Sequence, residues 1–336
     1  MRYLQKNPKT INAKLDVKDK KILSIFSYNS RIPLTQLSKR VGLSRDAVNY
    51  RIKNYEKNGI IQGYRTMVNM SKFGYNANHL FIKLNNPTKE IEQKILNKLI
   101  KHPFVRAVIK FSGNYDFEIA FFTKNIDTLD NALTEIITDC TGSLQDYELL
   151  TISKTFVAET FPPSFSEFSE YKLQKNFKSK PDQKTDKKDI EILKIISEDA
   201  LLPLHKIAGK VKLSADAVNY RIKNMISSGV IMKFIPVINY TSLDYNLHTL
   251  LLNISGLDKE KEKILKDFLY SDKNTLWAVK TIGRYNVLIY LLVKNIGDLQ
   301  DTVMKLRSLF PKQINHYETL IAYEEYKYIY FPKDLF

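Results

Sequence analysis

The feature that most constrains this chain is a repeat of itself. The nine residues from Asp46 to Asn54, DAVNYRIKN, recur letter for letter from Asp216 to Asn224, an offset of 170. The same offset carries Asp16 to Asp186, Pro33 to Pro203, Gly59 to Gly229, Tyr75 to Tyr245, Gly113 to Gly283 and Phe161-Pro162 to Phe331-Pro332, with no insertion or deletion. Two copies of about 150 residues are too long and too few for a solenoid. They describe a small two-domain protein written twice, so that one chain supplies both halves of a twofold arrangement. A length of 336 residues alone predicts two or three domains. The repeat predicts four: helical heads at 14–70 and 185–240, α+β domains at 71–162 and 241–332, and a Lys- and Ser-containing linker at 163–184 with a helical turn around Phe165 to Leu173.

Local patterns give each copy its elements. Asp16, with Asp19 three residues on, starts a helix to Tyr28 whose apolar stripe is Ile22, Leu23, Ile25 and Phe26. A short helix from Leu34 to Val41 follows Pro33 and is closed by Gly42. Ser44 caps a third helix that runs to about Asn58 and stops at Gly59. Val48, Ile52 and Tyr55 put one face of that helix into a core. Asp46, Asn49, Tyr50, Lys53 and Lys57 share the opposite face. Three short helices with a tight turn before the third read as a helix-turn-helix, and residues 60–69 read as a strand and turn that form its wing. Beyond Asn78 the order is strand, helix, strand, strand, helix, strand, with strands at 79–84, 105–111, 115–123 and 145–152. That is the ferredoxin-like βαββαβ split. The second copy repeats it, with strands near 247–254, 275–281, 285–293 and 314–323. The fold class expected is α+β: two copies of a winged helix-turn-helix, each followed by a ferredoxin-like domain.

Charge separates these parts. The net +16 divides into +11 over residues 1–66, −3 over 67–170, +4 over 171–185, +3 over 186–235 and +1 over 236–336. The excess lies in the heads and the linker, so a polyanionic partner belongs to the heads, the first more than the second. Hydrophobic residues at 44% and aromatics at 12% exclude a largely disordered chain. Cys140 is the only cysteine, which excludes an intrachain disulfide and fits a reducing compartment. The longest apolar run, Val287 to Val293, is too short to span a bilayer, and the N-terminus has no apolar leader. A cytoplasmic protein without a membrane partner is expected.

Each copy resembles the Lrp/AsnC, or feast/famine, transcription regulators. The first shows Leu43-Ser44, Val48, Arg51-Ile52, Glu56, Gly59-Ile60-Ile61, Tyr64, Asn69 and Gly74-Tyr75 at the spacing such proteins use, and then the turn Gly113-Asn114-Tyr115-Asp116. It departs from the family at Tyr55 and Met225, which stand for leucine, at Ile226, which stands for glutamate, and at Asn286, where the second turn loses its acid. The resemblance implies a winged DNA-binding head joined to a ligand-sensing domain. It also implies that the tandem copies form the dimer that single-unit members form by association.

The site residues expected on DNA are Ser44, Arg45, Asn49, Tyr50, Arg51 and Lys53, with Ser214, Asn219, Tyr220, Arg221 and Lys223 in the second head. Asn49 and Asn219 are the base-reading candidates, because an amide pairs bidentately with adenine. Each could instead solvate its helix or bond a phosphate. Arg51, Arg221, Lys53 and Lys223 are the phosphate candidates, with packing against the wing as the alternative for Arg51. Arg45 becomes Ala215, so the two heads are not equivalent readers if Arg45 touches DNA. The resemblance implies an effector, such as an amino acid, near Gly113, Tyr115, Asp116, Gly283, Tyr285 and Asn286, against the plainer reading of two tight turns.

No nucleophile elbow, P-loop or dinucleotide fingerprint occurs. The five histidines, His79, His102, His205, His248 and His316, sit at non-equivalent repeat positions, so no enzyme activity, cofactor or metal site is expected. The expected partners are double-stranded DNA, a small-molecule effector and further copies of the chain through the sensing domains. The expected function is a sequence-specific DNA-binding transcription regulator, a single-chain pseudo-dimer on a pseudo-palindromic site. Two alternatives stand beside it: a sensor that acts on another regulator without binding DNA, and a haem-pathway (siroheme) decarboxylase of similar architecture. The latter would need His and Arg grouped around a tetrapyrrole pocket, and the scattered histidines argue against it.

Overall fold

A computed structural model describes residues 14–140, 142–165 and 185–336. The linker, from residue 166 on, and its expected helical turn therefore lie outside the described residues.

The first head is α1 (Val17–Tyr28), α2 (Leu34–Val41) and α3 (Arg45–Lys57); the second is α6 (Lys187–Ile196), α7 (Leu204–Val211) and α8 (Ala215–Ser227). Asp16 and Asp186 each close a capping box with the aspartate three residues on, so the first orphan amides of α1 and α6 are satisfied locally. Ile22, Leu23, Leu37, Val41, Val48 and Ile52 bury the inner faces, each contributing about 1.5–3 kcal/mol relative to exposure. Gly42 ends α2 in the left-handed region at φ 72°, where Lys212 stands at φ 56° in the second head. A side chain there is strained.

The strand expected as a wing has a different partner. β1 (Ile61–Val68) pairs antiparallel with β6 (Ile231–Ile238), its repeat counterpart, and the register places Arg65 opposite Ile235, a residue facing its own copy. The pseudo-twofold axis passes through that pair, and the two-stranded ribbon ties the heads together. The Thr66 hydroxyl donates to the Ile196 carbonyl at 2.7 Å, Arg31 donates to the carbonyls of Ala200 and Leu202, and Arg65 donates to that of Glu198.

Each ferredoxin-like half has the expected order. The first is β2 (Asn76–Leu84), α4 (Lys89–Lys101), β3 (Val105–Ser112), β4 (Phe117–Thr123), α5 (Ile126–Asp139) and β5 (Leu144–Ala158). The second is β7 (Asn246–Ile254), α9 (Lys259–Ser271), β8 (Thr275–Ile282), β9 (Val287–Val293), α10 (Ile296–Leu309) and β10 (Ile314–Tyr328). β5 and β10 run to 158 and 328, past the expected 152 and 323, because their second halves leave their own sheets. β5 pairs with β8, and β10 with β3, so eight strands close a barrel in the order β10-β3-β4-β2-β5-β8-β9-β7. Closure removes the edges that two separate sheets would expose. The barrel interior, below the β1–β6 ribbon, is where the two halves meet.

Candidate nucleic-acid interface and interdomain cavity

The recognition helices are α3 and α8. Ser44 and Ser214 serve as their N-caps, each hydroxyl accepting the amide of the third residue on at 3.1 Å. Val48, Ile52 and Tyr55, and in the second head Val218, Ile222 and Met225, anchor one face in the core. The opposite face carries Tyr50 and Tyr220 at 67% and 66% exposure, exposed Lys53 and Lys223, and half-buried Asn49 and Asn219. None of these six side chains hydrogen-bonds another described residue. Arg45 stands exposed at the first turn of α3, and half-buried Ala215 holds its place in α8.

Arg51 and Arg221, expected on phosphates, have intradomain partners instead. Arg51 Nη1 lies 2.8 Å from Asp16 Oδ2 and 2.5 Å from Asp19 Oδ1; Arg221 Nη1 lies 2.8 Å from Asp186 and 2.9 Å from Asp189. Each arginine thus clamps its recognition helix to the capped start of the first helix in its head. Donating hydrogen bonds to Asp19 and Asp16 raises the Arg51 pKa. The Asp16 carboxyl lies below its ordinary value: burial works against this, and the Asp19 amide and Arg51 outweigh it. In the first head the Tyr55 hydroxyl also donates to Asp19 at 2.5 Å; Met225 cannot do so in the second. With Arg31 and Arg65 engaged at the head junction, the first head offers DNA less of its charge excess than +11 suggests.

The two turns expected to hold an effector lock the halves together. Asp116 Oδ2 accepts the Leu84 amide at 2.6 Å, while Asn286 accepts the Ile254 amide at 2.9 Å and donates to its carbonyl at 2.8 Å. Asn286 thus replaces the lost acid in an equivalent structural bond. Tyr115 and Tyr285 are buried. Gly113 and Gly283 sit at φ 144° and 149°, pressed against β10 and β5 of the opposite half, and a Cβ on Gly283 would lie 2.6 Å from the Leu149 carbonyl oxygen. Arg284 N–H donates to Glu148 across the same junction at 2.9 Å.

A polar cluster that the sequence reading dispersed is assembled inside the barrel. Arg106 Nη2 donates to His79 Nε2 at 3.1 Å, which leaves the ring proton on Nδ1 to donate to Glu118; the Tyr290 hydroxyl donates to the same Glu118 oxygen. Burial lowers the His79 pKa, against the pull of Glu118, so the ring is neutral. Trp277 stacks on His79 at 5.5 Å and lies 4.8 Å from Tyr290, and Arg106 lies over Phe122 and Tyr328. His79, Arg106, Phe122, Trp277, Tyr290 and Tyr328 border a cavity of about 490 Å³ between the barrel and the ribbon. The expectation that histidine and arginine are not grouped is therefore corrected for His79 and Arg106: residues 27 apart in sequence stand on strands that a closed sheet brings together. Among the described residues no group of His, Cys, Asp and Glu is placed to hold a metal, and no helix is long and apolar enough to cross a membrane.

Two capped recognition helices on a duplicated α+β body define a DNA-binding transcription regulator with paired heads. The winged helix-turn-helix DNA-binding family matches residues 15–62 and again 185–232. HTH-type transcriptional regulator FL11 of Pyrococcus furiosus is 32% identical over 134 residues, covering 40% of this chain and 84% of the relative. HTH-type transcriptional regulator LrpA of Pyrococcus horikoshii is 32% identical over 123 residues, covering 37% and 86%. The chain belongs to the Lrp/AsnC family, as a tandem duplication. The crystal structure of the siroheme decarboxylase NirDL is similar over 93% of both chains with a TM-score of 0.61 and 13% identity, a likeness of fold.

Proposed function

We propose that the chain regulates transcription as a single-chain pseudo-dimer: both heads bind one DNA site, and the half-sites are related by the pseudo-twofold axis of the ribbon. The observation that carries this reading is the pairing of β1 with β6 through a residue and its own repeat copy, Arg65 and Ile235, beneath two recognition helices that share nine identical residues. Equivalent helices on a twofold read a pseudo-palindrome, with half-sites one helical turn or a multiple apart. Asn49 and Asn219 read bases; Lys53, Lys223, Tyr50 and Tyr220 position the backbone. The side chains of Asp116 and Asn286 already hold neighbouring strands, so this reading places the effector elsewhere than the two turns. Assembly of several chains is part of it, supported by Tyr147, Tyr317, Ile321 and Tyr323, which stand exposed on barrel strands. A cytoplasmic location and the absence of an enzyme activity complete the reading.

The test is retention of genomic fragments by the purified chain at low salt, followed by a salt titration. The expected result is selective retention, with log K falling against log salt by about 0.9 per phosphate neutralised. No retained DNA at low salt contradicts the reading and favours the sensor that acts on another regulator.

The His79–Arg106–Glu118 cluster favours a second reading, catalysis on a tetrapyrrole. Against it, the cavity lining has two basic side chains, Arg106 and Lys154, and two acidic ones, Glu159 and Glu325, a poor match for a polycarboxylate. Tetrapyrrole absorbance in the purified protein would revive it.

A further inference from the structure

The cavity is asymmetric, although the chain around it is not. His79, Arg106 and Glu118 of the first half have Thr249, Leu276 and Leu288 as repeat counterparts. Conversely, Trp277, Tyr290 and Tyr328 of the second half correspond to Ala107, Ala120 and Ala158. Each half thus contributes three residues to the cluster, and at all six positions the other copy is small or apolar. A core position needs neither a buried arginine nor a buried glutamate to pack, as Leu276 and Leu288 demonstrate. Isolated buried polar atoms are costly, and here Arg106 Nε and Glu118 Oε2 have no hydrogen-bond partner among the described residues. Of the two, Arg106 lines the cavity, where its free donor is available to a bound acceptor.

We propose that this cavity is the regulator's effector site, and that its ligand is a small organic acid with one carboxylate, bound by Arg106, and a planar or apolar body held against Trp277 and Tyr290. Arg106 lines the cavity, is 7% exposed, and is fixed through His79. Because His79 is held neutral by its bonding and Lys154 pairs with Glu262 at 2.8 Å, Arg106 is the lining's fixed cation. A guanidinium presents a planar donor set that matches a carboxylate. Phe122, Trp277, Tyr290, Tyr328 and Ile109 supply an apolar part of the wall beside polar residues, and the volume suits a compact molecule. A dianion such as phosphate would need more donors than one arginine supplies. Of the two acids in the lining, Glu159 pairs with Lys233 at 3.2 Å, and buried Glu325 is the other opposing charge. Met67, Val68, Met232 and Ile235 of the β1–β6 ribbon border the same space, so a ligand there contacts the element that carries both heads. This consequence at DNA rests on the regulator reading; the binding itself does not.

Trp277 is the only tryptophan in the chain and lies in the cavity wall, so its fluorescence reports occupancy of the full-length protein. Phenylpyruvate and phenylacetate are titrated, with phenethylamine as the cationic control. The expected result is a saturable change with the acids and none with the amine. Arg106→Met should weaken the acids at least tenfold, Arg106→Lys should recover part of the loss, and Glu325→Gln should tighten them. If Arg106→Met melts without a folded baseline, Ala158→Leu, which fills the cavity and leaves the cluster intact, must abolish the signal. The proposal is overturned by no saturable change with either acid, by equal binding of the amine, or by acid binding indifferent to both Arg106→Met and Ala158→Leu. Protein that retains DNA but binds neither acid loses this inference and keeps the regulator reading. Protein that binds an acid but retains no DNA does the opposite.

Discussion

Residues 46–54 and 216–224 are identical and carry the exposed faces of the two recognition helices, whereas the six residues of the cavity cluster differ from their counterparts at every position and lie buried or half-buried. Duplication usually frees the surface first, since a core residue must pack and a surface residue need not. Here the order is inverted. Asn49, Tyr50 and Lys53 recur unchanged on the outer face of the second recognition helix, while the interior holds one cluster formed from two unequal halves. The lesson is that the molecule is symmetric at these outward residues of the recognition helices and asymmetric where it encloses space.

Paired substitutions at the offset of 170 test this comparison. The largest effect is expected at the turns. Gly283→Ala should cost about 3 kcal/mol of stability, because both φ and the Leu149 carbonyl resist a Cβ. Gly113→Ala should cost less, since its nearest neighbour is the movable Leu320 side chain. Chemical denaturation of the two variants checks the order.

On DNA the two asparagines should act alike. Asn49→Ala and Asn219→Ala should each lose roughly 1–3 kcal/mol of discrimination at one base pair, in opposite half-sites. Sequence-independent losses from both would place the amides on phosphates and leave reading to other residues.

The arginine clamps come next. Arg51→Ala and Arg221→Ala should each cost about 1–2 kcal/mol of stability, and the second should cost more: Asp19 keeps the Tyr55 hydroxyl, and Asp189 has no such partner. The Asp16 and Asp186 pKa values are depressed below 3.8, Asp186 chiefly by the Asp189 amide and then by Arg221. Stability from these carboxylates is therefore full above about pH 4 and lost as pH falls through the lowered values. Melting curves of wild type and clamp variants should converge in acid and separate near neutrality.

The smallest effect is a gain. Lys212→Gly should stabilise the second head by about 1 kcal/mol by relieving the left-handed residue that Gly42 accommodates in the first. A rise in melting temperature would show it.

How much of this was legible beforehand follows the range of the interactions. Helices α1 to α3 were readable because capping residues, apolar spacing and Gly42 act within a few residues. The strand orders of both halves were readable for the same reason. The β1–β6 ribbon, the long second halves of β5 and β10, and the closed barrel were not, since pairing across 170 residues leaves no local period. The commitment of Arg51 to Asp16 and Asp19 was missed because an exposed-looking arginine on a recognition helix has two partners within reach, and only coordinates choose between them. The cavity cluster left one signal. Glu118 interrupts an otherwise apolar strand that reads Val-Leu-Ile-Tyr-Leu-Leu-Val over 287–293 in the other copy, and Arg106 stands where Leu276 does. Differences between the copies at apolar positions, more than identities, pointed inward.

The central claim is that one chain reads one twofold site with both heads. Footprinting of a retained fragment, with the protein-to-DNA stoichiometry measured on the same complex, tests it most directly. The account predicts two protected half-sites of related sequence, inverted about a centre and spaced by one or more helical turns, with one chain for each such pair. Protection of a single half-site by each chain, or two half-sites in direct repeat, would contradict it.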